Sequence, residues 1–262
     1  MMVAQFGETN RTRVQEEDKQ LQSKFLKSGI QGFDEALGSG LPIGNIYLLC
    51  GHFASGSDIF VQQVLNKRIT SNDKVAYYTV EQSSNDIIGA MKLHGMDIQE
   101  YVDNNSWMFF RTLHTSLKNV VAVIPKVSTE QQISFDDISI LMKHFQEKAE
   151  DGFNTRINLS SLMTNFSLKE IRNFLFFMQN VVRVTGGIHF VLINEDEHKP
   201  SDISTLKNMA DTVFNFSSEI REQDLGVTLT IQKIKDIVPK TRVLRFTIKE
   251  KGLDAETIRR IK

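Results

Sequence analysis

Short apolar runs alternate with amphipathic stretches along most of the chain. Residues 45–50, 74–80 and 188–193 are apolar or β-rich runs of six or seven residues, typical of strands covered on both faces. Residues 85–94 and 168–184 instead have apolar positions at helical spacing. Strands that alternate with helices predict an α/β domain with a mainly parallel central sheet flanked by helices.

Local signals set the ends of some of these elements. Ser167-Leu-Lys-Glu170 is a capping box, which predicts that the long helix begins at residue 168. The aromatic cluster at residues 174–178 is expected to face the sheet. Residues 227–233 and 241–248 are β-rich on either side of a turn that contains a proline, which predicts a C-terminal antiparallel hairpin.

The chain is expected to form one domain with a polar extension. Residues 1–26 are mostly polar and charged and are assigned to the extension, which leaves residues 27–262 for the domain. Within the domain, residues 114–153 lack the clear pattern of the remainder and are called the divergent subregion. They contain a β-rich run at 120–124 and a predicted helix near 138–150, and the sequence gives them no mechanism.

Composition limits the classes of function. With 262 residues and 40% hydrophobic content, the chain is able to bury one sizeable core, and its net charge of −1 gives no overall field for nucleic acid or membranes. No run approaches the roughly 18 apolar residues of a membrane span. The single cysteine, Cys50, is expected to be a core thiol in a reducing compartment, so the chain is predicted to be cytoplasmic.

A glycine-containing loop follows the first apolar run. The spacing from Gly51 to Gly56 fits the phosphate-binding pattern G-x-x-x-x-G-K-[ST], in which backbone N–H groups and a helix N-terminus surround the phosphates. Ser57 stands at the lysine position and Asp58 at the position of the hydroxyl that binds Mg²⁺. The candidate nucleotide-binding residues in this loop are Gly51, His52, Phe53, Ala54, Ser55, Gly56, Ser57 and Asp58.

Two polar groups of the kind that bind metals have simpler interpretations. His189 lies within an apolar run and is expected to be a packed core or edge histidine and not a ligand. The acidic turn at residues 195–198 is expected to be a solvated surface turn, with a metal site as the less favoured alternative.

The lead-in Ser28-Gly-Ile-Gln-Gly-Phe-Asp and the loop after it resemble the KaiC-like branch of the RecA-like P-loop ATPases. The resemblance covers roughly residues 27–254 and is weakest in the divergent subregion. It implies a RecA-like fold with degenerate Walker A and Walker B motifs.

The resemblance also implies catalytic positions. The strand at residues 74–80 ends in Glu81-Gln82-Ser83, where the family has two glutamates that orient the attacking water. Glu81 is therefore either a water-orienting or a vestigial residue, with Gln82 beside it. The alternative is that Glu81 is an exposed acid at the end of a strand.

Two further positions follow from the same resemblance. Asn158 stands at the probable Walker B aspartate position, and an amide does not supply the negative charge that holds Mg²⁺, so no metal site is predicted. Lys233 and Lys235 occupy a hairpin element that reaches the phosphates of an adjoining subunit in the family. Surface lysines on an edge hairpin are the alternative.

These substitutions predict weak ATP binding and make Mg²⁺ doubtful, and the alternative is that Asp58 recruits a metal that bridges to the nucleotide. A carboxylate about 5 Å from a phosphate charge costs roughly 3 kcal/mol at an effective dielectric constant near 20. The sequence therefore favours a non-hydrolysing regulatory or assembly subunit, with an ATP-binding switch or slow ATPase as the alternative. The expected partner is a second copy of the chain or an active KaiC/RecA-like paralogue. Nucleic acid is unlikely, because the basic C-terminal part lacks interleaved aromatic residues.

Overall fold

The computed structural model describes residues 24–80, 82–114, 129–221 and 224–256. The polar N-terminal residues 1–23, Glu81 and the β-rich run at 120–124 lie outside these ranges. The single-domain assignment stays a prediction.

Within the described ranges, the strands form a two-stranded and a ten-stranded sheet. They are β1 Phe25–Leu26, β2 Leu41–Pro42, β3 Asn45–Gly51, β4 Lys74–Thr79, β5 Trp107–His114, β6 Glu130–Phe135, β7 Phe153–Asn158, β8 Ile188–Asn194, β9 Thr212–Arg221, β10 Asp224–Lys233, β11 Val243–Lys249 and β12 Gly252–Ala255. The large sheet has the order β12-β11-β10-β9-β3-β8-β7-β4-β5-β6.

The seven strands from β9 to β6 run parallel to one another, and β10, β11 and β12 continue the sheet in antiparallel pairs. The predicted C-terminal hairpin is confirmed, because β10 pairs with β11 from Gly226 opposite Thr247 to Thr230 opposite Val243. The predicted fold class, a mainly parallel α/β sheet with antiparallel strands at its end, is confirmed as well.

Helices cover both faces of this sheet. They are α1 Gln31–Leu37, α2 Ser57–Ile69, α3 Ser84–Leu93, α4 Gln99–Asp103, α5 Ile138–Glu150, α6 Leu159–Met163, α7 Leu168–Thr185 and α8 Pro200–Met209. Side chains of β3 alternate between two cores: Tyr47 and Leu49 belong to the core that includes α2, and Leu48 and Cys50 to the core that includes α7. Strand β3 therefore holds the loop that follows it between two packed layers.

Helix α7 begins as predicted and faces the core less completely than predicted. Both hydrogen bonds of the capping box between Ser167 and Glu170 are present. Within the aromatic cluster, Phe174, Leu175 and Met178 are buried, while Phe176 is 61% exposed. The prediction that the whole cluster faces the sheet is wrong, because consecutive residues of a helix point in different directions.

Sequence patterns did not predict β6. Its residues Glu-Gln-Gln-Ile-Ser-Phe are mostly polar, and the strand lies at the edge of the sheet, paired in parallel with β5. An edge strand needs fewer apolar residues than a central one, so the apolar signal was absent. Among the described helices, none has the length and apolar character needed to cross a membrane.

Candidate functional site

The loop between β3 and α2 has a backbone shape that glycine permits. Gly56 has φ +87° and is the N-cap of α2, and Ala54 also has a positive φ of +57°. A Cβ atom at Gly56 would lie 2.7 Å from a methyl carbon of Val227. The glycine therefore allows both the left-handed turn and the close approach of β10 to the loop.

The carboxylate of Asp196, just after the end of β8, forms hydrogen bonds with the loop. The Oδ1 atom of Asp196 lies 2.7 Å from Nδ1 of His52, and its Oδ2 accepts a hydrogen bond from the Phe53 N–H at 3.4 Å. The hydrogen bond with His52 is the main reason why the pKa of Asp196 lies below its usual value. Asp196 belongs to the acidic turn that the sequence assigned to the solvated surface, and its side chain is 55% exposed, so it contacts the loop from the surface as a solvated residue.

The tip of the loop points away from the protein. The Phe53 side chain is 86% exposed, although its neighbour His52 is held by Asp196. Phe53 therefore contributes its backbone N–H to the loop, and its ring faces solvent.

The beginning of α2 carries an ion pair with β7. An Nη2 atom of Arg156 lies 2.7 Å from Oδ1 of Asp58, and its Nη1 donates a hydrogen bond of 3.1 Å to the carbonyl oxygen of Tyr78 on β4. The guanidinium carbon also lies 4.9 Å from the centre of the Tyr77 ring. The Arg156 side chain is 9% exposed and that of Asp58 is 56% exposed, so a buried cation meets a half-exposed anion at the loop.

The side chain of Asn158, at the end of β7, forms a hydrogen bond with the backbone. Its Oδ1 accepts a hydrogen bond of 3.1 Å from the Ser160 N–H and so caps helix α6. The Ser160 hydroxyl oxygen in turn accepts a bond of 2.8 Å from the Asn194 N–H at the end of β8. The ends of β7 and β8 are thus joined by neutral groups beside the loop.

The loop lines a cleft of about 440 Å³ together with Arg156, Asn158, Ser160, Asn194 and Glu197. This volume lies within the range of roughly 300–1,000 Å³ typical of small-molecule sites. A larger groove of about 1190 Å³ lies between α1, β11 and β12 and shares only Ile248 with the cleft. We assign the candidate site to the smaller cleft, because the whole predicted phosphate loop, Gly51 to Asp58, forms its wall.

The predicted catalytic pair is only partly described. Gln82 is exposed after the end of β4, and the Ser83 hydroxyl caps α3 by accepting a hydrogen bond from the Asp86 N–H at 3.2 Å. The roles assigned to Glu81 and Gln82 stay predictions.

The structure does not bring Lys233 and Lys235 to the loop of their own chain. Lys233 pairs with Val213 near the start of β9, whereas the loop follows the far end of β3, beside Phe216. The Lys233 ammonium donates to the carbonyl oxygen of Ala210 at 2.6 Å, just after the end of α8. Lys235 lies 3.9 Å from a carboxylate oxygen of Asp211. Both lysines have contacts within the chain, at the opposite ends of the strands from the loop.

Two residues of the site were missed by sequence reasoning, Arg156 and Asp196. Arg156 lies two residues before Asn158 on β7, so the two side chains share one face of that strand. A charged residue inside an otherwise buried strand was the signal that could have identified Arg156.

Comparison with known proteins agrees with this architecture. A family model described as "ATPase: KaiC" matches residues 26–257. A crystal structure of a KaiC-like protein from Pyrococcus horikoshii has a TM-score of 0.66 and 18% sequence identity, and the match covers 88% of this chain and 98% of that one. The flagellar accessory protein FlaH from Methanocaldococcus jannaschii also has a TM-score of 0.66, at 14% identity, with 86% and 95% of the two chains covered.

Curated relatives give the same result. The circadian clock protein KaiC3 of Synechocystis is 24% identical over 237 residues, and the match spans 87% of this chain and 45% of the relative. The DNA repair and recombination protein RadB of P. horikoshii is 22% identical over 241 residues, which are 90% and 96% of the two chains. The match to KaiC3 thus spans less than half of that protein. The chain belongs to the KaiC family within the RecA-like P-loop ATPases.

Proposed function

We propose that this chain is a non-hydrolysing regulatory or assembly subunit that acts through protein–protein contacts. The observation that carries the proposal is the ion pair between Asp58 and Arg156. Asp58 stands where a P-loop supplies a hydroxyl to Mg²⁺, and Ser57 stands where it supplies the lysine that binds the phosphates. Phosphoryl transfer depends on that lysine and that metal ion, because they stabilise the charge that develops in the transition state.

Asn158 supports the same proposal. Its amide oxygen is engaged by the Ser160 N–H and carries no charge to orient a hydrated Mg²⁺ ion. The residue at the Walker B position therefore does not supply a charged ligand to the metal ion on which hydrolysis depends.

The test is an assay of ATP hydrolysis by the purified chain in the presence of Mg²⁺. We expect no turnover above a blank without protein. Turnover that disappears in the variant Glu81→Gln would refute the proposal, and that variant is also the control for a contaminating ATPase.

The protein contacts of the proposal are expected to involve a second copy of the chain or an active KaiC-family paralogue. The position of Lys233 and Lys235 supports this expectation, because they lie at the opposite ends of the strands from their own loop, so that a phosphate contact by them would need the loop of another subunit. Sedimentation equilibrium is expected to give a multiple of the 29.9 kDa chain mass. A monomer at micromolar concentration would exclude self-assembly at that concentration, and the partner would then be expected to be a paralogue.

An ATP-binding switch is the second candidate function. The cleft of about 440 Å³ and the left-handed turn at Gly56 favour it, because both are needed to seat phosphates against backbone N–H groups. A calorimetric titration with ATP separates the two functions. Micromolar binding supports the switch, whereas no binding at millimolar ATP leaves the contact surfaces as the function. We further propose a cytoplasmic location, on the basis of the single buried cysteine.

A further inference from the structure

The guanidinium of Arg156 has a defined position beneath the loop. It is held at 2.7 Å by Asp58, at 3.1 Å by the carbonyl oxygen of Tyr78 and by the face of the Tyr77 ring. The side chain is 91% buried, whereas the carboxylate of Asp58 is more than half exposed to the cleft. A fixed positive charge therefore lies directly behind a carboxylate at the N-terminus of α2.

Asp58 stands where P-loop proteins place a ligand of a divalent cation. In P-loop proteins Mg²⁺ is held between the hydroxyl at the start of the loop helix and an acidic residue at the end of a neighbouring strand. Here those two places hold Asp58, which is paired with Arg156, and Asn158, which caps α6. A Mg²⁺ ion beside Asp58 would be repelled by the guanidinium, and no second carboxylate is contributed by β7 to compensate for it.

We propose that Arg156 takes the place of the divalent cation, so that this loop binds a nucleoside di- or triphosphate in its metal-free form. Asp58 then competes with the phosphate chain for the guanidinium and keeps the affinity low. The inference rests on the proposed function, because it treats the loop as a phosphate site that does not hydrolyse ATP. It adds the chemical form of the ligand and the residue that recognises it.

The chemistry of arginine and the surroundings of Arg156 suit it to this role. Its guanidinium is charged at all ordinary pH values, and its planar arrangement of donors matches phosphate oxygens. Arg156 also contacts Tyr77 and Tyr78 of β4, and these contacts keep the group in place when Asp58 turns towards solvent. A phosphate that replaces the carboxylate would also be near the N-terminus of α2, whose thirteen residues favour an anion there.

The test is a calorimetric titration of the full chain with ATP, once with EDTA and once with excess Mg²⁺. We expect the wild-type affinity with Mg²⁺ to be equal to or lower than that with EDTA. In EDTA, Asp58→Asn should tighten binding at least tenfold, because it removes the competing anion. Arg156→Met should weaken binding at least tenfold, and adding Arg156→Met to Asp58→Asn should abolish the gain.

Asp97→Asn is the matched control. Asp97 is paired with Lys92 at 3.0 Å, its side chain is 55% exposed, and it does not line the cleft. The substitution removes the same charge from a side chain of almost the same exposure, so the affinity for ATP should not change. Thermal unfolding of each variant shows whether it is folded, and Asp58→Asn decides the test if Arg156→Met does not fold.

Three results would overturn the inference. They are tenfold tighter binding with Mg²⁺ than with EDTA, an Asp58→Asn variant with no gain over Asp97→Asn, and no binding of millimolar ATP by either wild type or Asp58→Asn. Failure of the proposed function has a different signature, namely hydrolysis that depends on Glu81. Mg²⁺-dependent binding without turnover would thus reject the inference and leave the proposed function standing.

Discussion

Phe60 fixes the helix of the candidate phosphate loop to the sheet, and its removal is expected to be costly. The side chain is fully buried, and its ring centre lies 5.0 Å from that of Phe33 and 5.3 Å from that of Phe216. It also contacts Phe190 and Phe214 at 6.4 and 6.1 Å. The change Phe60→Ala would therefore remove four aromatic contacts and leave a cavity between α2 and the sheet.

The size of the loss follows from these contacts. Truncation of a buried phenylalanine to alanine costs about 3–5 kcal/mol, of which part is lost transfer energy and part is the cavity. Phe60 lies among aromatic rings, which pack with roughly 0.5–1.5 kcal/mol per pair beyond the buried area, so we expect about 4 kcal/mol. That is a large share of a typical unfolding free energy of about 5–15 kcal/mol.

Urea unfolding followed by the fluorescence of the single tryptophan is the assay. Trp107 is buried on β5, so its emission reports on loss of the core. The midpoint should fall in Phe60→Ala with an unchanged dependence of the free energy on urea concentration.

Phe53→Ala is the matched control, because it makes the same chemical change seven residues earlier on a ring that is 86% exposed. It should alter the unfolding free energy by less than about 0.5 kcal/mol. A loss below about 1 kcal/mol in Phe60→Ala, or equal losses in the two variants, would refute the view that this ring anchors the loop helix.

Two further predictions concern buried titratable groups. Burial lowers the pKa of His189 from 6.5 to about 4, so the folded chain binds a proton less readily than the unfolded chain. The associated stability is complete above pH 6.5 and should fall by about 2 kcal/mol between pH 7 and pH 5. Urea titrations at both values should show a smaller loss in His189→Gln, and an unchanged loss contradicts the assignment. Burial also raises the pKa of Cys50 to about 12, so a disulfide reagent at pH 8 should label this thiol only after unfolding. Rapid labelling of the native chain contradicts a buried thiol.

The fold was predictable because its signals are local. The apolar runs that became β3, β4 and β8 and the capping box of α7 each depend on residues adjacent in the chain. Strand β6 lacked such a signal, because most of its residues are polar and it lies at the edge of the sheet, beside β5.

The candidate site was predictable in its backbone and much less so in its side chains. The spacing of Gly51 and Gly56 identified the loop, since a left-handed turn has a preference for glycine that is visible in the sequence. The partner of Asp58 was not visible, because Arg156 is 98 residues away and meets it only through the pairing of β7 with β4 and β8.

The sequence by itself determined the α/β class, the place of the phosphate loop and the absence of its lysine and hydroxyl. Only the tertiary structure decided that Asp58 faces a buried guanidinium and that Asp196 holds His52. It also decided that Lys233 lies at the opposite end of the strands from its own loop. Local patterns report on hydrogen bonding and burial along one segment, whereas the charge at a site is the sum over segments that the sheet brings together.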